Sequence, residues 1–226
     1  MHIVDLLPLS IGMSKLNLSK ETRTTFVNYI NAEFNSNDNG DTTDTWTGDL
    51  YGRADLHNVK EFNPLFNELP YKLHDYCKEI GVDSELFDFH YVRSWGTRAQ
   101  HKNNTPVHAH TYAHLAAVYY PLAPEISGDL IIGADGNKCH NEIIPDLFSD
   151  ESYKDLLTNN QRVQRHVSIT PRDNALVIFP AKTDHLTTFN ESTEIRYSIA
   201  IDILMTLKST DNNEYCLPPV DTWRKA

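Results

Sequence analysis

The chain of 226 residues has few cysteines, and their placement excludes two kinds of structure. Cys77, Cys139 and Cys216 lie far apart and form no Cys-x-x-Cys pair. This spacing argues against a disulfide framework and against a zinc site built from cysteines. It is typical of a protein in a reducing compartment, so we expect a cytoplasmic location.

An excess of positive charge is also missing, because the net charge is -11 and the isoelectric point is about 5.4. Binding to a phosphate backbone needs a basic surface, so we expect no nucleic-acid partner. The sequence has no apolar run of about 18 residues, which a membrane span would need. Residues 1–10 lack the basic and apolar regions of a signal peptide. We therefore expect neither a membrane span nor a secretory signal.

The part of the chain before residue 85 has helical patterning. Ser19 is a candidate N-cap, and apolar residues then recur at helical spacing over residues 20–35. A second amphipathic helix is predicted from residue 63 or 64 to residue 80, and Gly81 ends it. We expect these helices to pack against one face of a sheet.

After residue 85 the sequence changes to short apolar segments separated by turns. Strands are predicted at residues 86–95, 105–111, 114–122, 128–135, 165–170, 174–179 and 196–205. This pattern indicates a mainly β (α+β) chain with an antiparallel sandwich or barrel. We expect a single domain, 1–226, with a helical flank (1–85), a β core (86–206) and a tail (207–226). Residues 136–160 are interpreted as an insertion, either a lid or a plain surface loop.

Three histidines form a candidate metal site. His108 and His110 lie two apart in an extended segment, where alternate side chains point to the same side. His185 follows the apolar segment NALVIFP much later in the chain. Three side chains on adjacent strands of a barrel can occupy one face of an octahedron and leave the opposite face open. The alternative is that they are ordinary core or surface histidines.

An arginine in an apolar strand is the second candidate. Arg196 lies 11 residues after His185, and Ser198 shares its face of the strand. A buried guanidinium is costly without an anionic partner. It either pairs with a buried Asp or Glu, or it binds the carboxylate of a ligand in a bidentate manner.

Taken in order, these motifs resemble the double-stranded β-helix of 2-oxoglutarate/Fe(II) oxygenases, and most of all the bacterial and phage type that carries His-x-His. The matching pieces are His108-Ala109-His110, LAAVYYPLAP, SGDLII, PRDNALVIFP, His185 and Arg196-Tyr197-Ser198. The resemblance covers residues 88–205. It implies a jelly-roll or cupin-like double-stranded β-helix with N-terminal flanking helices.

The resemblance also implies roles for single residues. His108 and His185 would bind Fe(II), and Arg196 would bind the distal carboxylate of 2-oxoglutarate. Ser198 would assist Arg196, together with Tyr119 or Tyr112.

The sequence departs from the superfamily at His110, because the usual third ligand is Asp or Glu. We prefer His110 as the third ligand; the alternatives are a carboxylate from elsewhere, such as Asp129 or Asp135, and a site without a carboxylate ligand. A site of three neutral imidazoles has one more positive charge than the usual site, which should favour a dianionic co-substrate.

The implied function is that of an Fe(II)- and 2-oxoglutarate-dependent dioxygenase. It would hydroxylate an unidentified small molecule or protein side chain and release succinate and CO2. Two alternatives remain open: a three-histidine cupin-type dioxygenase that does not use 2-oxoglutarate, and a non-enzymatic β-sandwich with a binding or structural role. Arg196 favours the first reading over the cupin type, which needs no arginine at that spacing.

Overall fold

The computed structural model describes residues 1–2, 9–36, 54–133, 166–210 and 216–225. Within these ranges the chain forms two α-helices, α1 (Lys20–Ser36) and α2 (Asn63–Glu79). Its strands are β1 (Gly12–Lys15), β2 (Phe87–Ala99), β3 (Thr105–His108), β4 (Leu115–Leu122), β5 (Leu130–Ile132), β6 (Val167–Ile169), β7 (Ala175–Pro180), β8 (His185–Thr187) and β9 (Arg196–Leu207). The predicted insertion at 136–160 lies outside the described residues.

Both predicted helices are confirmed, and their ends have local causes. The Ser19 hydroxyl accepts a hydrogen bond from the backbone N–H of Thr22 at 3.2 Å, which caps α1. Helix α2 has a proline in its first turn, where no hydrogen-bonded N–H is needed. Beyond its end Gly81 has a φ of +83°, a conformation that glycine adopts at little cost. No helix in the described ranges is long and apolar enough to cross a membrane.

The strands form two antiparallel sheets. The five-stranded sheet has the order β1-β7-β4-β9-β2, and the four-stranded sheet has the order β3-β8-β5-β6. This confirms the mainly β fold and the double-stranded β-helix. The sequence did not predict β8, which has only three residues and pairs with both β3 and β5. Three residues are too few to show a strand pattern.

Two apolar clusters hold these layers together. One lies between the sheets, in the space called here the interior; it contains Ala116, Tyr120, Leu130, Ile132, Ile169, Val177 and Phe179. The other lies between the five-stranded sheet and the helices. There Phe26 and Ile30 of α1 are fully buried against strand residues such as Ile199. Burying an aliphatic or aromatic side chain of this size contributes about 1.5–3 kcal/mol.

The alternation of side chains along β9 sends its polar residues into the interior. Tyr197, Ile199 and Ile201 belong to the cluster that contacts the helices. Because successive strand residues point to opposite faces, Arg196, Ser198 and Asp202 face the other way. Strand β9, between β4 and β2 in the larger sheet, therefore has an apolar face and a polar, buried one.

Candidate metal centre

The structure brings the three predicted histidines together. His108 on β3 and His185 on β8 are directly opposite each other in the antiparallel ladder, and their ring centroids are 4.1 Å apart. His110 follows the end of β3, and its ring lies 5.2 Å from that of His108 and 5.1 Å from that of His185. One ring nitrogen from each histidine lies within 4.8 Å of the other two. Neutral imidazoles in this arrangement can share one metal ion.

Backbone carbonyls and a carboxylate fix the tautomers of these rings. The Nδ1 of His108 is 2.8 Å from the carbonyl of Pro106, and the Nδ1 of His185 is 2.8 Å from the carbonyl of Thr183. A carbonyl only accepts, so each Nδ1 carries the proton and donates it. The Nδ1 of His110 likewise faces the side chain of Asp202. The lone pair of each ring then lies on Nε2, which is the arrangement that metal-binding histidines need.

Burial keeps His185 neutral before a metal binds. Burial, and next the proximity of His108, lower the pKa of His185 to about 4, so this ring is neutral near pH 7. Phe179 has its ring centroid 4.9 Å from that of His185, and Trp95 lies 5.6 Å from that of His110. Aromatic rings thus form two walls of the site.

Sequence reasoning missed Asp202. Its side chain is fully buried and contacts Nδ1 of His110, and it accepts a second hydrogen bond from the Tyr112 hydroxyl at 2.7 Å. Tyr112 in turn accepts from Nη1 of Arg93 at 2.8 Å. The sequence did contain a signal for Asp202. It interrupts an apolar strand on the same face as Arg196, and a buried carboxylate, like a buried guanidinium, is costly without a partner.

Arg196 lies in the interior with 1% of its surface exposed. Its Nη1 donates to the backbone carbonyls of Ser127 at 2.9 Å and of Gly128 at 3.0 Å. Its Nε and the hydroxyl of Ser127 are buried and have no hydrogen-bond partner in the part of the chain that the structure describes. No described carboxylate forms an ion pair with Arg196, so the predicted alternative of a salt bridge to Asp or Glu is not observed within these residues.

Gly128 allows this close approach. It has a φ of +93°, and a Cβ at this position would lie 2.5 Å from the carbonyl oxygen of Thr188 and 2.9 Å from Nη1 of Arg196. Any larger residue would push the guanidinium away from the carbonyls that hold it. Arg196 can therefore occupy this position only because residue 128 is a glycine.

The structure separates the two tyrosines of β4. Tyr119 lies in the cluster that contacts the helices, where its hydroxyl donates to Oδ1 of Asn174 at 2.6 Å. The predicted position of Tyr119 beside Arg196 is therefore corrected. The neighbouring residue, Tyr120, faces the interior. Burial raises the pKa of Tyr120, and nearby Arg196 acts in the opposite direction.

Two further predicted residues have other partners. The Ser198 hydroxyl is hydrogen bonded to that of Thr97 on the neighbouring strand, so it is buried beside the arginine but already paired. The carboxylate of Asp129 accepts from the Ser168 hydroxyl at 2.7 Å and is not part of the histidine group. Asp135, the other alternative carboxylate, lies outside the described residues.

One family of known proteins matches the part of the chain that forms this site. Residues 93–202, which contain all three histidines and Arg196, match the family model described as "Putative 2OG-Fe(II) oxygenase". This segment of the chain is therefore similar to the 2-oxoglutarate/Fe(II) oxygenases. The family implies Fe(II) as cofactor and 2-oxoglutarate as co-substrate. No curated protein matches the sequence at a significant level.

Solved structures share the oxygenase fold at low sequence identity. A prolyl-4-hydroxylase from Pseudomonas putida is 12% identical over 87% of this chain and 92% of its own, with a TM-score of 0.50. A prolyl hydroxylase from Trichoplax adhaerens, in complex with a hypoxia inducible factor peptide, is 11% identical over 86% and 83%, with a TM-score of 0.53. AviO1 from Streptomyces viridochromogenes is 11% identical over 93% and 92%, with a TM-score of 0.55. At these identities the likeness concerns the fold alone.

The residues of this site fit both groups that the matched family implies. Three imidazoles with their proton on Nδ1 form a donor set that suits Fe(II) among the divalent transition metals. Arg196 and Ser127 have buried polar atoms without described partners, and a ligand carboxylate would supply the missing acceptor. Burial lowers the pKa of Arg196, but a guanidinium stays protonated in proteins, so this corner of the interior is cationic.

Proposed function

We propose that this protein is an Fe(II)- and 2-oxoglutarate-dependent dioxygenase that hydroxylates a substrate and releases succinate and CO2. His108, His110 and His185 are the proposed ligands of the iron. The observation that carries the proposal is their convergence: one nitrogen of each ring lies within 4.8 Å of the others, and a separate acceptor faces Nδ1 of every ring. Core histidines that merely satisfy their own hydrogen bonds would not need this shared orientation.

Arg196 is the proposed partner of the distal carboxylate of 2-oxoglutarate. It is a buried cation held by two carbonyls, and its Nε has no partner among the described residues. Ser198 is the proposed assisting hydroxyl on the same strand face. We replace Tyr119 by Tyr120 in this group, because only Tyr120 faces the interior.

The protein's own contribution is to orient and shield. The Nδ1 acceptors hold each imidazole ring in place, so the three donor nitrogens are preorganised before a metal binds. Arg196 fixes one end of the co-substrate, and the aromatic walls exclude water from the metal end. When bound, iron would activate dioxygen, with 2-oxoglutarate providing two electrons and dioxygen supplying the oxidising equivalent for hydroxylation.

The proposed substrate is a small molecule or a protein side chain. Among the similar structures are two prolyl hydroxylases, one of them bound to a peptide, so a protein side chain is compatible with this fold. The negative net charge continues to argue against a nucleic-acid substrate. We also propose that residues 1–226 form one domain, with the helical flank as a structural layer.

The test is an anaerobic titration of metal-free protein with Fe(II) and then with 2-oxoglutarate, followed by visible absorption. We expect a weak metal-to-ligand charge-transfer band that appears only when both are present. The same titration with succinate in place of 2-oxoglutarate is the control, because succinate lacks the keto oxygen that completes the chelate.

The other outcomes separate the alternatives. Bound iron without a band on addition of 2-oxoglutarate would favour the three-histidine cupin-type dioxygenase. Absence of iron binding would favour a binding or structural β-sandwich and would contradict the proposal.

A further inference from the structure

Asp202 is the one carboxylate among the described residues that is buried, and it lies next to the histidine group. Both of its oxygens are engaged, Oδ1 with Nδ1 of His110 and Oδ2 with the Tyr112 hydroxyl. An isolated charge in the interior is costly unless a cation compensates it. The described cation on its outer side is Arg93, whose Nη1 donates to the Tyr112 hydroxyl, which in turn donates to Asp202.

On the inner side of Asp202 the chain of hydrogen bonds ends at His110. The ring of His110 lies beside those of His108 and His185. Three imidazole donors are neutral, so a divalent metal held by them would have no negatively charged ligand. When a carboxylate accepts a hydrogen bond from the Nδ1–H of an imidazole ring, the Nε2 of that ring becomes more basic. Through the ring, the carboxylate shares negative charge with the metal. The buried anion and the proposed cation therefore compensate each other across His110.

We propose that Asp202 is a positioning residue of the metal centre, which fixes the His110 ring and supplies through it the negative charge that the three imidazoles lack. This inference rests on the proposed function, because it assigns a role toward the proposed iron. Tyr112 and Arg93 support it from the outer side by holding the carboxylate in one orientation. Nδ1 faces a backbone carbonyl in His108 and His185 but a carboxylate in His110, which distinguishes His110 within the group.

The experiment measures the binding of Co(II) to metal-free protein by calorimetry and by the d–d absorption of the bound ion. We expect Asp202→Asn, which keeps an acceptor of the same shape but removes the charge, to weaken Co(II) binding by about 10- to 100-fold. The matched control is Asp173→Asn, which removes one carboxylate from the salt bridge with Arg23, away from the histidines. This control should bind Co(II) like the unchanged protein.

Two more variants keep the test decisive. Tyr112→Phe removes one hydrogen bond to the carboxylate and should weaken Co(II) binding by only about two- to fivefold, which also serves if Asp202→Asn does not fold. In a His110→Asp background, residue 110 itself carries a negative charge, and Asp202 becomes a neighbouring carboxylate of like charge. There Asp202→Asn should cause no further loss, because the two residues are coupled.

The outcomes distinguish this inference from the proposed function. If the unchanged protein binds no Co(II), the proposed function is wrong and the inference falls with it. If the unchanged protein binds Co(II) and folded Asp202→Asn binds it within twofold of the Asp173→Asn control, only the inference is overturned. An equal loss from Asp202→Asn with and without His110→Asp would also overturn it, because Asp202 would then not act through His110.

Discussion

At the scale of single residues, two buried charges of opposite sign lie on the interior face of one strand. Arg196 begins β9, and Asp202 lies six residues further along it. They do not neutralise each other, because Arg196 donates to carbonyls near Gly128 while Asp202 contacts His110. Each charge therefore needs its own partner, and the proposed co-substrate and metal are those partners.

Arg196→Ala should weaken the binding of 2-oxoglutarate by roughly 30-fold or more, since losing one member of a buried charge pair costs about 2 kcal/mol or more. Fe(II) or Co(II) binding should not change, because the histidines are elsewhere. Calorimetric titration of the metal-loaded protein measures the first effect, and titration of the metal-free protein the second. Arg98→Ala, on the face of the sheet toward α1, is the control. Loss of both affinities, or of neither, would contradict the assignment.

The two tyrosines of β4 give a matched pair of substitutions. Tyr120→Phe should weaken 2-oxoglutarate binding by about 3- to 10-fold with little effect on stability, because only a hydroxyl facing the cationic corner is lost. Tyr119→Phe should leave co-substrate binding unchanged. It should instead lower the free energy of unfolding by about 1–3 kcal/mol, because Oδ1 of Asn174 stays buried without its donor. The opposite result would restore the role predicted for Tyr119 from sequence.

At the scale of elements, the turn before β5 and the strands around it hold the site together. Strand β8 pairs with β3 on one side and with β5 on the other, so His185 lies between His108 and Ile132 in the ladder. Gly128 in the preceding turn lets the guanidinium of Arg196 approach the backbone. The geometry of both ends of the site thus depends on short strands and one glycine.

Gly128→Ala should destabilise the protein and weaken 2-oxoglutarate binding together. Its positive φ alone costs an alanine about 1–2 kcal/mol, and the clash with the Thr188 carbonyl and the guanidinium adds about 1–3 kcal/mol. Gly81→Ala is the control: it also has a positive φ, of +83°, but a Cβ there would meet nothing within 4 Å. Denaturant unfolding and co-substrate titration measure the two effects. Equal destabilisation by both substitutions would show that the close approach has no energetic weight.

At the scale of the whole molecule, the helices cover the outer face of the five-stranded sheet. Phe26 and Ile30 of α1 and Leu65, Leu69 and Leu73 of α2 are all fully buried in one cluster with residues of β4, β7 and β9. Without these helices the strands would expose a large apolar surface, which soluble chains avoid. This packing supports the proposal that the helical flank is a layer of the same domain.

Removal of residues 1–85 should abolish cooperative folding of the remaining chain. The helices and β1, which pairs with β7, would be lost together, and the apolar sheet face would promote aggregation. Thermal unfolding by circular dichroism and size-exclusion chromatography test this expectation. The control is the full chain with Ile30→Ala, which should still unfold cooperatively at a stability about 2–5 kcal/mol lower. A monomeric, cooperatively unfolding fragment 86–226 would show that the flank is a separate unit.

Much of the fold could be predicted because its signals are local. The helical spacing of α1, its cap at Ser19 and the end of α2 at Gly81 all lie within a few residues of sequence. The apolar strands β4, β7 and β9 were long enough to recognise. Strand β8 was missed because its three residues obtain their conformation from two neighbouring strands, which are distant in sequence.

The sequence by itself determined that a chain of this pattern forms an antiparallel β fold with leading helices, and it selected His108, His110, His185 and Arg196 as candidates. These conclusions rest on side-chain chemistry and on periods of two or a few residues. Only the tertiary structure decided that Tyr120 and not Tyr119 faces the interior, and that Asp202 contacts His110. Which face of a strand becomes the interior depends on the packing of the helices on the other face, and a single strand's alternation carries no information about that.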